Sequence, residues 1–185
     1  MTDPDDLWLE PPQPLAETGT ELRPATGYAS PFVSITPTGG LTQAPPTPPG
    51  ILAVTAAHGG AGATTWAHLL GGVDVGQQWP GPSLQPTNTL LVARASLTGL
   101  TAAHRAGLQW AAGVVPSVSL IGVLLAPDIP GRLPKELREL ERKVRAIFPV
   151  TIDAPFVNEW RTTTAEEATT NNKIAAIITE ITGKS

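Results

Sequence analysis

One stretch constrains this chain more than any other. An apolar run breaks into glycines and resumes as a helix opening: Ile51-Leu-Ala-Val-Thr-Ala-Ala-His58-Gly59-Gly60-Ala61-Gly62-Ala63-Thr64-Thr65-Trp66. A short strand, a glycine turn and a helix in that order are how an α/β protein aims backbone N–H groups at an anion. Glycine permits the left-handed turn, and the first N–H groups of the helix have no partner within it. The stretch therefore predicts a phosphate cradle beside a parallel sheet.

The cradle departs from the P-loop pattern in charge. That pattern requires Gly-Lys-Ser/Thr, and here Gly62-Ala63-Thr64 puts a methyl group in place of the ammonium. The lysine neutralises the β- and γ-phosphates, whereas backbone N–H groups and a hydroxyl do only part of that work. Thr64 keeps a hydroxyl able to ligate Mg²⁺. The expectation is weak phosphate binding without efficient hydrolysis.

Downstream, apolar runs alternate with amphipathic segments, which predicts an α/β fold: a mostly parallel sheet with flanking helices. A short helix over 65–70 should stop at Gly71-Gly72, followed by a brief strand at 73–75 and a proline-broken loop over 76–88. Thr89–Ser96 reads as a strand, and 97–112 as a helix with Leu97, Leu100, Ala103, Leu108 and Ala111 on one face. Val118–Ala126 is apolar almost throughout, as a strand buried on both faces should be. A helix over 133–148 follows, with the i,i+4 pairs Glu139/Lys143 and Glu141/Arg145, and then an edge strand over 150–155. Thr164-Ala-Glu-Glu167 reads as a capping box opening a C-terminal amphipathic helix.

Residues 1–49 are proline-rich, so too many backbone N–H groups are missing for a helix or sheet to propagate, and a disordered arm is expected. The domain plan is thus an arm over 1–49, an α/β domain over 50–161 and a C-terminal helix and tail over 162–185. Trp8 and Leu9 lie among acidic residues and are either a stray apolar pair in a tail or a docking patch for a protein partner; the C-terminal helix packs on the core or on a neighbouring subunit or, in the interaction-protein alternative, contacts a partner. A net charge of −4 argues against a general nucleic-acid surface. No cysteine is present, which excludes disulfides and thiolate metal sites, and the three histidines have no metal spacing. The acidic start lacks an apolar signal core and no apolar run is long enough to span a bilayer, so a cytoplasmic protein is expected.

The order of parts resembles the ParA/MinD-type P-loop ATPases, whose deviant Walker A reads Lys-Gly-Gly-x-Gly-Lys-Thr-Thr. Gly59, Gly60, Ala61, Gly62, Thr64 and Thr65 match, counting the free position, while His58 and Ala63 replace both lysines. Over 121–134 and 154–161 the chain also looks like a group of actinobacterial proteins of unknown function that share a shortened P-loop domain. The resemblance implies a shortened three-layer P-loop NTPase-like sandwich. It also implies ATP or another nucleotide with Mg²⁺, held by residues 58–65 with the metal on Thr64, and a setting in plasmid or mobile-element maintenance. Without both lysines and a Walker B strand, a pseudo-ATPase is the expectation.

Two residues keep alternative readings. His58 is either a neutral imidazole capping the turn or a cation standing in for the signature lysine. Asp128 either shapes a turn or accepts from a purine amino group, as acidic residues after this strand do in guanine-reading relatives. A dinucleotide-binding reading fails on the third glycine and the ribose acid, and no Gly-x-Ser-x-Gly occurs. The remaining alternative is a non-catalytic interaction protein with a vestigial turn.

Overall fold

The computed structural model describes residues 39–183. The Trp8–Leu9 patch and most of the expected arm lie outside that range. The strands are β1 (Thr42–Gln43), β2 (Ala53–Ala56), β3 (Val73–Asp74), β4 (Gln78–Trp79), β5 (Thr87–Arg94), β6 (Val118–Ala126) and β7 (Thr151–Asp153). The helices are α1 (Ala63–Leu70), α2 (Leu97–Ala111), α3 (Lys135–Ile147) and α4 (Asn172–Thr182).

The main sheet has the order β3-β2-β5-β6-β7, and every pairing in it is parallel. Successive side chains of β5 explain the layering. Leu90 and Val92 join Trp66, Leu70, Ile174 and Ile181 in the core under α1 and α4. Leu91 and Ala93 face the other way, into the core under α2 and α3 with Leu100, Ala103, Val144 and Phe148. The result is a three-layer α/β sandwich with helices on both faces, the arrangement that buried parallel strands require.

Several local expectations change. The predicted loop over 76–88 contains β4, which pairs in parallel with β1, so residues 42–43 of the proline-rich segment form a strand. Trp79 in that segment is fully buried. Its indole N–H donates to Gln109 Oε1 at 3.0 Å, which also accepts from Leu41 N at 2.7 Å, while Gln109 Nε2 donates to Leu41 O at 3.1 Å. One buried amide thus fastens the 39–47 segment to α2. A Cβ on Gly40 would lie 2.0 Å from the Gln109 side chain and would push the amide off these bonds.

The buried face of α2 is built from Gly99, Leu100, Ala103, Ala106, Gly107 and Gln109, whereas Leu97, Leu108 and Ala111 of the predicted stripe are exposed. Small residues win that face because neighbours come close: a Cβ on Gly107 would sit 2.8 Å from Phe148. The Thr164/Glu167 hydrogen bonds form at 3.1 Å but close an isolated turn. Helix α4 starts eight residues later, at Asn172, because Asn171 caps the N–H groups of Lys173 and Ile174 with its side chain. Helix α3 keeps both predicted i,i+4 pairs. Arg145 in addition donates to Asp153 of β7, and that hydrogen bond, ahead of the one it donates to Glu141, raises its pKa above the ordinary guanidinium value.

Candidate functional site

In an open parallel sheet, ligands bind outside the carboxyl ends of the strands, where the chain leaves neighbouring strands in opposite directions. Here that point lies between β2 and β5: from β2 the chain passes through α1 to β3 on one side, while β5, β6 and β7 follow in order on the other. The sequence-predicted turn, His58 to Thr65, sits at this edge; Asp74 and Arg94 reach it from the ends of β3 and β5, and Asp128, just past β6, joins through Arg94.

The turn is held by Ala61 N donating to His58 O and Trp66 N donating to Gly62 O. Gly60 and Gly62 have φ values of 75° and 96°, which side-chain-bearing residues rarely adopt. Gly62 caps α1 without any side-chain hydrogen bond to its first turn, and no acidic residue lies in that turn. Ala61 and Ala63 bury their methyl groups, so Ala63 offers packing where a lysine would offer charge. Gly59, Gly60 and Thr64 are exposed.

His58 bridges the β2/β5 junction. Its Nε2 accepts the backbone N–H of Arg94 at 3.1 Å, and Nδ1 lies 2.8 Å from Gly59 O. A backbone N–H only donates, so Nε2 carries a lone pair and Nδ1 carries the proton. In this arrangement the imidazole is a neutral cap of the turn.

Thr64 donates its hydroxyl proton to Asp74 Oδ2 at 2.5 Å, and Asp74 Oδ1 accepts from Gly76 N at 2.8 Å. Asp74 ends β3, the strand beside β2, so a carboxylate stands next to the hydroxyl at the start of α1. Donation leaves both lone pairs of the Thr64 oxygen available to a cation. Thr65 is half-buried and lines a cavity of about 80 Å³ with Gly62, Trp66, Trp160, Arg94 and Arg161. Trp66 and Trp160 meet edge to face at 5.6 Å and form its apolar wall.

Asp128 lies at the end of β6 and reaches the site through Arg94, whose Nη1 is 3.5 Å from Asp128 Oδ1 while its Nε donates to Gly60 O at 2.7 Å. A larger cavity, about 370 Å³, opens on the α2/α3 side of Asp128, bounded by Ser96, Ile129, Arg132 and Leu137. Sequence reasoning did not select Arg94 or Asp74 as site residues. The signal for Asp74 was its place between the turn and the next long strand; for Arg94 it was a charged residue ending an otherwise apolar strand.

Among the described residues no group of three or more His, Asp or Glu side chains is gathered as a metal site, and no helix is long and apolar enough to cross a membrane. No curated protein and no solved structure matches the chain. The model of a family of unknown function, DUF6668, matches residues 51–178, which take in the turn, the whole main sheet and most of α4, and the chain belongs to that family.

Proposed function

We propose that this chain is a degenerate ParA/MinD-like P-loop protein that binds the phosphate of ATP or another nucleotide, with Mg²⁺, on residues 58–65 and does not hydrolyse it efficiently. The observation that carries this reading is the Thr64–Asp74 pair at the uncapped start of α1. A carboxylate there repels a bare phosphate and favours one that arrives with a divalent cation, which the Thr64 oxygen can ligate. The glycine backbone fits a phosphate oxygen, and α1 directs its N-terminal N–H groups to the same place.

The same residues do not fit phosphoryl transfer. Neither Ala63 nor a neutral His58 supplies a cation to the transferring group. A regulatory role in mobile-element or plasmid maintenance follows from the resemblance alone. In the interaction-protein alternative α4 can offer a partner only its exposed face, because Ile174, Ile177 and Ile181 are buried in this chain's own core.

Thermal unfolding against a nucleotide panel with Mg²⁺ tests the proposal. A ligand at a hundred times its dissociation constant adds about 2.7 kcal/mol of stability. A melting temperature unmoved by every nucleotide at millimolar concentration would remove the reading.

A further inference from the structure

The turn contributes no positive side chain of its own, yet a guanidinium rests on it. Arg94 leaves the end of β5 and donates from Nε to Gly60 O at 2.7 Å, which holds the group against the glycines. Its other contact is loose: Nη1 stands 3.5 Å from Asp128 Oδ1, with the side chains 38% and 49% exposed. A well-formed charge-assisted hydrogen bond is about 2.7–2.9 Å long, so this pair has neither the distance nor the burial of a strong one.

Three nearby carboxylates are committed elsewhere. Asp74 is bound by Thr64 and Gly76, and Glu141 and Asp153 are bound by Arg145. Arg161 lines the same small cavity as Arg94, beside Gly62 and Thr65, which adds a second positive charge. A guanidinium has five donors in a planar fork suited to phosphate, and these two contacts engage only Nε and Nη1.

On the phosphate reading above, we propose that Arg94 is the phosphate-binding cation of this site and that Asp128 is its resident counter-ion, displaced when the phosphate arrives. The charge absent from positions 58 and 63 is supplied from the neighbouring strand. Asp128 then competes with the ligand for Arg94, so its loss strengthens binding. A purine-reading Asp128 behaves in the opposite way.

The test is calorimetric titration of the full chain with Mg-pyrophosphate, which has phosphates and no base, and with Mg-ATP and Mg-GTP. Asp128→Asn should bind pyrophosphate roughly two- to fivefold more tightly, the scale of an exposed ion pair. Arg94→Gln should bind about tenfold or more weakly, as expected for loss of a charged hydrogen-bond donor. In the double variant most of the Asp128→Asn gain should vanish, because the carboxylate acts chiefly through Arg94 and only weakly through direct repulsion of the anion.

Asp128→Asn binding pyrophosphate no better than the parent overturns the proposal, as does a gain of undiminished size without Arg94. Weakened GTP binding with unchanged pyrophosphate binding would assign Asp128 to the base instead. Binding that is intact in the parent and unaltered in both variants sinks this inference alone. A parent and an Asp128→Asn variant that bind none of the three ligands sink the phosphate reading with it. Ligand-free melting of Asp128→Asn should match the parent, since the pair is exposed, and Arg94→Lys serves as a second, charge-retaining variant if Arg94→Gln unfolds.

Discussion

His58 Nε2 and the backbone N–H of Arg94 are 3.1 Å apart and join the ends of β2 and β5 across the crevice at the sheet's carboxyl edge. Gly99 of α2 closes over this junction, since a Cβ there would stand 2.8 Å from Nε2 and 2.1 Å from Arg94 O. The imidazole is thereby a structural bridge, and on the phosphate proposal the positive charge comes from elsewhere.

The tautomer is directly measurable. Nitrogen-15 spectra of the ligand-free chain near neutral pH should report His58 with a protonated Nδ1 and a bare Nε2. His58→Ala leaves the Arg94 N–H without its acceptor and should cost about 1–3 kcal/mol in urea unfolding. A protonated Nε2 in the free protein would refute the bridge.

Gln109 should matter more than its place on a small-residue helix face suggests. Gln109→Leu removes the acceptor of the fully buried Trp79 indole and both bonds to Leu41. A loss of about 2–3 kcal/mol is expected, with faster amide exchange at Leu41 and Ala44. Unchanged exchange at those amides would show that the 39–47 segment is held by other contacts.

Helix α4 is part of the core. Ile174 is fully buried, and Ile174→Ala should cost about 2–5 kcal/mol, read as an earlier urea midpoint. Removing the helix should therefore destabilise the fold as a whole. A truncated chain that melts like the parent would reopen the helix as a free docking surface.

The parts legible in the sequence were those with strong local patterns. β5 and β6 are long apolar runs because parallel strands are buried on both faces, and α3 and Gly71 follow ordinary helix rules. The parts that escaped depend on distant partners. Two-residue strands such as β1 and β4 carry no periodicity, and Trp79 is buried by the core under α2, with Gln109, thirty positions on, accepting its indole N–H. The Thr164/Glu167 turn shows the converse: the Glu167 carboxylate reaches back to Thr164 N as read, but the Thr164 hydroxyl donates to that carboxylate, and the β-branched Thr169 and Thr170 and the Asn171 cap delay the helix.

The candidate site divides in the same way. The glycine turn and its hydroxyl are contiguous and could be read directly. Asp74 and Arg94 come to the turn only because β3 and β5 flank β2, a matter of sheet order that no local pattern encodes.

The central claim is that the turn holds phosphate without cutting it, and one paired measurement addresses it: Mg-ATP binding and release of inorganic phosphate, followed on the same purified full-length chain and its Thr64→Ala variant. The account predicts saturable binding that weakens in the variant, with phosphate release at background in both. Turnover at an ordinary enzymatic rate, abolished by Thr64→Ala, would contradict it.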